Sequence, residues 1–189
     1  MKKAIFVAVL CILGLSQSNA QFSFKPGLRG GVNFSHFTQG DDYGTGANYG
    51  NKTDFYLGFF GALHLTKYYT LQPEIDYSRQ GTNFTETGSP SQKVDLTYVS
   101  IAVLNKFTFN DKFNIHLGPT IDFMVEKKNI DPDSEVDLAF IFGAEYNFTK
   151  NFGIEARVKK GIVPVLDYSS SNHDNVVFSV GAAYTFDLK

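Results

Sequence analysis

Residues able to carry out acid–base or nucleophilic chemistry are few in this sequence. Its histidines are scattered along the chain: His36, His64, His116 and His173. Ser35 precedes His36 and Asp174 follows His173, but hydrolysis or acyl transfer needs a nucleophile, a base and an orienting acid close together in the fold. No spacing in the sequence requires such a meeting. We therefore predict no catalytic residues and no enzymatic activity, with a hydrolase or acyltransferase as the open alternative.

Metal and cofactor sites are equally weakly indicated. The single cysteine, Cys11, lies in an apolar N-terminal run, so no thiolate site is expected after it. Oxygen ligands for a hard cation such as Ca²⁺ could come from acidic residues in polar segments: Asp41, Asp42, Asp131, Asp133 and Glu135. They lack EF-hand spacing. We expect solvated segments, no metal and no cofactor.

A third group of reactive side chains is charged and recurs at alternate positions. Its members are Arg29, Glu74, Asp76, Lys106, Glu145, Glu155, Arg157 and Lys159. Acidic and basic residues are nearly balanced in this group, so they could neutralise one another. Two interpretations remain open: a packed lining of ion pairs, or a narrow polar path for solutes. Whether these charged side chains come into contact depends on the secondary-structure elements that carry them.

Those elements are strands with apolar residues at every second position, the pattern of a strand with one apolar face. Eight are predicted: 27–37, 54–66, 69–80, 94–109, 113–125, 136–148, 152–160 and 176–189. The phase of the fourth slips near Tyr98, which predicts a β-bulge. Short turns at 67–68, 110–112 and 149–151 alternate with long polar loops at 38–53, 81–93, 126–135 and 161–175.

Eight antiparallel alternating strands fit either a soluble barrel with its apolar face inward or an outer-membrane barrel with it outward. Alternating short turns and long loops favour the second. Aromatic residues beside the short turns predict an interfacial girdle: Tyr68, Tyr69, Phe107, Phe109, Phe113, Tyr146, Phe148, Phe152, Tyr184 and Phe186. A less sharp opposite girdle is expected from Phe34, Phe37, Phe55, Tyr77, Tyr98 and Phe123. Charged residues such as Arg157 would each cost about 2–4 kcal/mol facing lipid at the midplane, so they should face inward.

Composition and the N-terminus agree with export. Lys2 and Lys3, an apolar run from Ala4 to Leu15 and the small residues up to Ala20 predict a signal peptide over 1–20, leaving a barrel domain over 21–189. Without the two lysines, 15 basic residues face 19 acidic ones, a net charge of −4 that gives no support for a nucleic-acid partner. The prediction is an all-β, eight-stranded antiparallel up-and-down transmembrane β-barrel.

Several stretches resemble the PorT-like outer-membrane β-barrel proteins, often called the porin family. They are residues 27–35 (GLRGGVNFS), 71–81 (LQPEIDYSRQG), 98–103 (YVSIAV), 117–119 (LGP) and 157–161 (RVKKG). The third-strand stretch is fairly specific, and Ala102 stands where the family often has proline. The resemblance covers the mature chain and implies an eight-stranded barrel in the bacterial outer membrane. Residues 181–186 also resemble the β-signal read by barrel-insertion machinery, with Gly181, Tyr184 and Phe186 as its members.

The function expected from the sequence is a structural role or binding through the external loops. The PorT resemblance implies an alternative, a component or accessory of protein secretion across the outer membrane. A soluble periplasmic ligand-binding barrel is a second alternative. The expected partners are outer-membrane lipid, the insertion machinery and an unidentified extracellular or secretion partner, with the protein itself a monomer.

Overall fold

The computed structural model describes residues 23–37, 47–86, 92–129, 134–162, 166–168, 171–173 and 175–187. The predicted signal peptide lies outside these residues. No helix long and apolar enough to span a membrane occurs among them. The strands are β1 (Ser23–Phe37), β2 (Ala47–Gly50), β3 (Lys52–His64), β4 (Tyr69–Glu86), β5 (Gln92–Thr108), β6 (Phe113–Lys128), β7 (Val136–Asn147), β8 (Phe152–Gly161), β9 (Leu166–Tyr168), β10 (Ser171–His173) and β11 (Asn175–Thr185).

Eight of these strands, β1, β3–β8 and β11, close into a single antiparallel barrel. Each pairs with its neighbour along the chain, β4 pairs with β5, and the ring closes between β1 and β11. Gly27 lies opposite Thr185 at one end of this closing seam and Phe37 opposite Asn175 at the other. This closure of the first strand against the last confirms the predicted eight-stranded up-and-down barrel. All strand edges of the ring are therefore paired, as a membrane-spanning sheet requires.

The apolar parity of the strands faces outward. Along β8, Phe152, Ile154 and Val158 are exposed, and Gly153, Glu155 and Arg157 between them are buried. The same alternation runs through β3, β6 and β7. A soluble barrel would place its apolar face inward, so the arrangement matches the outer-membrane type.

Aromatic residues form the predicted girdle at the short-turn end. Tyr68, Phe109 and Phe148 are more than half exposed. Neighbouring rings touch, as in the pairs Tyr69–Phe107 (centroids 5.5 Å apart) and Tyr184–Phe186 (5.2 Å). Rings in such contacts suit a membrane interface, where one side is apolar and the other wet.

The bulge near Tyr98 is present, but its extra residue is on the neighbouring strand. Thr97 pairs with Glu126 and Tyr98 with Met124, which leaves Val125 of β6 without an opposite residue. The alternation of inward and outward residues along β5 therefore continues unchanged through Tyr98. Tyr98 stays in the inward series, only 1% exposed, so its assignment to the outer girdle is wrong. Phe34, Phe55, Tyr77 and Phe123 do face outward, and the side chain of Phe37 is outside the description.

The segments predicted as long loops are partly strand. β4 continues to Glu86 and β5 starts at Gln92, so 81–93 is mostly a two-stranded extension. β2 pairs with the outer part of β4, and β9 pairs with β10. These segments carry few apolar side chains at alternate positions, so no apolar period marked them as strand.

Candidate functional site: the interior ion-pair network

The eight charged residues predicted to line the interior all lie on inward-facing positions. β1 carries Arg29, β4 carries Glu74 and Asp76, β5 Lys106, β7 Glu145, and β8 Glu155, Arg157 and Lys159. Each is at most 9% exposed except Lys106, whose side chain is 13% exposed. Strand alternation alone explains this placement, since residues two apart share a face. The barrel thus gathers charges from five strands into one narrow lumen.

Five of them form a central cluster, defined here as Arg29, Glu74, Asp76, Glu155 and Arg157. Arg29 Nη1 donates to Glu74 Oε2 (3.0 Å) and Asp76 Oδ2 (2.7 Å). Arg29 Nε and Nη2 both reach Glu155 Oε1, at 2.8 and 2.6 Å. Arg157 binds Glu74 with two nitrogens (2.6 and 2.9 Å) and Glu155 Oε2 at 2.8 Å. Such charge-assisted, forked bonds are the strong class of protein hydrogen bonds.

Two neutral side chains complete the central cluster and were not predicted from the sequence. Tyr56 Oη donates to Glu155 Oε1 (2.9 Å), and the guanidinium of Arg29 lies 4.7 Å from the centre of the Tyr56 ring. Gln72 Nε2 donates to Glu74 Oε1 at 2.7 Å. The sequence feature that could have indicated this contact is Tyr56 itself, a large aromatic residue at an inward-facing position of its strand. Its length lets it cross the lumen.

The central cluster fills the cross-section of the lumen. Its side chains come from β4 and β8, which lie four strands apart around the ring, and from β1 midway between them, and they meet at hydrogen-bonding distance. The space left beside it is a cavity of about 40 Å³, which has room for a few water molecules only. An interior of eight strands is just wide enough for side chains to fill it, and here they do.

Three predicted lining residues lie outside the central cluster, in two separate ion pairs. Lys106 Nζ donates to Glu145 Oε2 (2.7 Å) toward the short-turn end, and also contacts Gln72 Oε1 at 3.3 Å, which links this pair to the cluster. Lys159 pairs with Asp122 on the other side of the cluster. Asp122 also accepts a hydrogen bond from Thr120 at 2.9 Å. Which acid meets which base depends on strand register, and the sequence pattern does not give it.

Beyond Lys159 the interior network also contains uncharged side chains, in addition to the largely buried Lys52–Asp54 ion pair. Asn33 Nδ2 donates to Ser78 Oγ (2.9 Å), and Ser179 Oγ donates to Asn33 Oδ1 (2.7 Å). Asn175 Nδ2 donates to Gln80 Oε1 at 2.5 Å, which adds these two residues to the same chain of bonds. Asn33 and Ser179 lie on β1 and β11, so these bonds bridge the closing seam from inside.

The histidines do not come together. His116 is fully buried in the lumen, and His64 Nδ1 lies 2.8 Å from Thr70 Oγ1 near the short-turn end. Ser35 is buried and hydrogen-bonded to the carbonyl of Gly81, while His36 takes the opposite face of β1. The side chain of His173 lies outside the described residues. Among the described histidines only His64 contacts a hydroxyl, and the described residues complete no nucleophile–base–acid arrangement around it.

No cluster of metal-ligating side chains occurs among the described residues. Four of the candidate Ca²⁺ ligands, Asp41, Asp42, Asp131 and Asp133, lie outside the description. Glu135 is exposed and lies 4.0 Å from Lys127.

The residues of the proposed assembly signal lie on β11 and just beyond it. Gly181 faces Gly31 across the closing seam. A Cβ at Gly181 would overlap the Tyr56 hydroxyl oxygen and the carbonyl oxygen of Gly30, so only glycine fits this position. Tyr184 and Phe186 are 47% and 41% exposed on the outer surface of the barrel. Gly181 thus packs against the interior network, whereas the two aromatics belong to the girdle.

At its short-turn end, the closing seam is also stabilised by an ion pair and hydrogen bonds between β1 and the residues that follow β11. Lys25 Nζ donates to Asp187 Oδ1 (2.7 Å), and Asn151 Nδ2 donates to Asp187 Oδ2 (3.0 Å). The backbone N–H of Phe186 donates to the carbonyl of Pro26 at 2.8 Å. The hydrogen bonds from Lys25 and Asn151 hold the pKa of the Asp187 carboxyl below its usual range. The carboxylate is thus kept ionised and paired, although its exposure limits what the pair contributes.

Comparison with known proteins agrees with this architecture. Neisserial surface protein A is similar in fold, with a TM-score of 0.56 at 14% identity, covering 85% of this chain and 97% of that one. The attachment invasion locus protein Ail of Yersinia pestis, in complex with the heparin analogue sucrose octasulfate, has a TM-score of 0.53 at 18% identity, covering 87% and 99%. OprG of Pseudomonas aeruginosa has a TM-score of 0.51 at 13% identity, covering 89% and 99%.

These identities are low enough that the three structures establish the fold alone. A search of curated proteins found no significant match. The family model for the outer membrane protein beta-barrel domain, however, matches residues 5–186, nearly the whole chain. The closed eight-stranded barrel, its outward apolar surface and this match together establish that the chain belongs to the outer membrane protein beta-barrel domain family.

Proposed function

We propose that this outer-membrane barrel is a closed, non-conducting and non-enzymatic scaffold, acting as a monomer through the parts it presents outside the membrane. The observation that carries the proposal is the central cluster across the lumen. A solute passing through would have to separate guanidinium and carboxylate groups that are nine-tenths or more buried. Separating such a pair exposes an uncompensated buried charge, which costs about 3–5 kcal/mol for one pair alone.

Apolar side chains reinforce the closure on the outer side. Leu96 and Tyr98 are each 1% exposed and point into the lumen from β5, and Val177 enters it from β11. A path for ions or polar solutes would be lined by polar groups facing open space, whereas these side chains are buried and largely apolar. The interior therefore supports a packed lining rather than a conduction path.

Planar-bilayer recordings test the closed lumen. We expect the purified barrel to give no stable ion conductance, and Arg157→Ala to lower the resistance of the fold to denaturant without creating conductance. Arg29, Glu74 and Glu155 would still meet in that variant and keep the lumen filled. A matched control is Arg79→Ala, because Arg79 lies on the outer parity beside Phe55. Reproducible single-channel steps in the wild type, or their appearance in Arg157→Ala alone, would support a polar path instead.

The external part of the barrel is a raised sheet rather than a set of plain loops. β4, β5 and β6 have 18, 17 and 16 residues, against 12 for β7 and 10 for β8. The extra residues all lie at the end away from the short turns, and β2 adds a further strand there. Side chains held on a rigid scaffold are the usual carriers of binding. This raised sheet, formed by β2 and the outer ends of β4–β6, is the surface we propose for an extracellular partner.

Shortening the raised sheet tests the binding role. Thr82 lies opposite Val94, so residues 83–93 can be replaced by Asn-Gly to give a two-residue hairpin. We expect this variant to keep its heat-modifiable gel mobility and to lose partners captured by the intact protein. The control is Asp111→Ala, at the other end of the barrel. Equal capture by the shortened protein would contradict a role for the raised sheet.

A second candidate, an accessory role in protein secretion, is supported by the resemblance of residues 71–81 to PorT-like proteins. The polar members of that stretch point inward, where Gln72, Glu74 and Asp76 belong to or contact the central cluster. The stretch is thus explained by packing, and a secretion partner would have to bind elsewhere. Secretion measured in a strain lacking the protein separates the two candidates. Normal secretion there favours the scaffold, and its loss favours the accessory role.

A further inference from the structure

The mouth of the barrel at the short-turn end opens into a blind cavity that the proposed function does not use. Its volume is about 230 Å³. The Lys106–Glu145 pair forms part of its lining, with Asn114 Nδ2 donating to Glu145 Oε1 at 3.3 Å. Gln72 connects that pair to the central cluster, which closes the lumen beyond it. The cavity is therefore a pocket that can be entered from one side only.

Lysine side chains dominate the charged lining of this cavity. Lys25, Lys67, Lys106 and Lys150 line it, against the carboxylates of Asp111 and Glu145. Lys106 is neutralised by Glu145, and Lys25 by Asp187. Among the lining carboxylates only Asp111 is then left to offset Lys67 and Lys150, so the lining carries a net positive charge. These two lysines come from different turns, 65–68 and 148–151, so the barrel brings them to one opening.

Apart from Ala62, the remaining lining consists of hydrogen-bonding groups, His64 among them. Thr70, Thr108, Asn114, Asn147 and Thr185 contribute hydroxyls and amides. Hydroxyls and side-chain amides can donate to an oxyanion, and a lysine ammonium binds phosphate or carboxylate as a point charge. The cavity is smaller than the 300–1,000 Å³ typical of pockets for drug-sized ligands, so it suits a small molecule or a single anionic group.

We propose that this cavity binds a small oxyanion, a phosphate or carboxylate group, entering from the side of the short turns. In the arrangement of the outer-membrane barrels, short turns face the periplasm. The ligand would then be a periplasmic solute, held by Lys67 and Lys150 at the opening and by the polar lining inside. Binding there requires no opening of the central cluster.

The proposal is tested by backbone-amide NMR titration of the refolded barrel in an uncharged maltoside detergent, which excludes lipid phosphate. The probes are inorganic pyrophosphate and succinate, each compared with sodium chloride at equal ionic strength. We expect saturable shifts at Thr70, Thr108 and Asn114 with at least one probe, and the stronger probe identifies the phosphate or carboxylate class. Shifts that match those of the chloride control for both probes would overturn the proposal.

Variants separate a built site from diffuse surface charge. The double variant Lys67→Gln/Lys150→Gln should bind about tenfold more weakly, the effect of losing two exposed charge contacts. Lys112→Gln is the matched control, since Lys112 occupies the third short turn but does not line the cavity. It should leave binding unchanged. Equal weakening by Lys112→Gln would mean that general positive charge at this end attracts anions, and would overturn the site. Unboiled gel mobility establishes that each variant is folded.

Discussion

Glu155→Ala should lower the free energy of unfolding of the barrel by about 3–5 kcal/mol, the cost of breaking a buried pair by removing one partner. The Glu155 carboxylate receives hydrogen bonds from Arg29, Arg157 and Tyr56 and is 3% exposed. Its removal leaves two guanidiniums sharing Glu74 and Asp76 inside a closed lumen. The measurement is a urea titration in lipid vesicles, followed by far-ultraviolet circular dichroism and by gel mobility without boiling.

Two further variants make this result interpretable. Glu155→Gln keeps the shape but not the charge, so it should retain part of the stability through hydrogen bonding. Glu135→Ala removes an exposed carboxylate at the outer end and should change the free energy of unfolding by no more than about 0.5 kcal/mol. If Glu155→Ala were as mild as Glu135→Ala, the central cluster would contribute nothing to the fold and the argument for a sealed lumen would fail.

Gly181→Ala should destabilise the barrel by about 1–3 kcal/mol, the usual cost of overpacking a filled interior. The new Cβ would overlap the Tyr56 hydroxyl and the backbone of Gly30. Tyr56 would have to leave Glu155, or β1 and β11 would have to separate. The measurement is unaided refolding of purified protein into detergent, compared with the amount of folded barrel in cells.

This comparison distinguishes packing from recognition. A glycine needed only by insertion machinery would leave unaided refolding unchanged, and that result would contradict the packing argument. Gly50→Ala is the matched control, because a Cβ there would meet Asn83 at 3.5 Å, an ordinary van der Waals contact. Tyr184→Ala changes the girdle without crowding the seam, so it should affect assembly in cells more than the stability of the refolded barrel.

Much of the fold could be predicted from the sequence because period-two alternation assigns each residue directly to one face of a strand. This gave the eight strands and the residues that share a face with Arg157. The alternating loop lengths, the aromatic residues beside the short turns and the cost of charges in lipid then indicated that the apolar face is outward. The raised sheet could not be found this way, since successive residues such as Thr82 and Asn83 are both polar and show no apolar period.

The partners within the site were beyond the sequence pattern. Arg29 meets Glu155 only because β1, β11 and β8 are aligned in one particular register. Alternation assigns these residues to the same interior but not to the same height along the barrel axis. Tyr98 shows a related limit: its aromatic character suggested an interface, but the bulge lies on β6, so Tyr98 keeps the inward parity of β5.

The span of the central cluster across the closing seam has a consequence for how the barrel avoids closing wrongly. A slip of two residues between β1 and β11 would keep every apolar residue outward, so lipid could not discriminate against it. The same slip would move Arg29 by about 7 Å along the strand, out of reach of Glu155. The ion pairs therefore select the correct register between β1 and β11 over shifted registers that satisfy the hydrophobic pattern equally well.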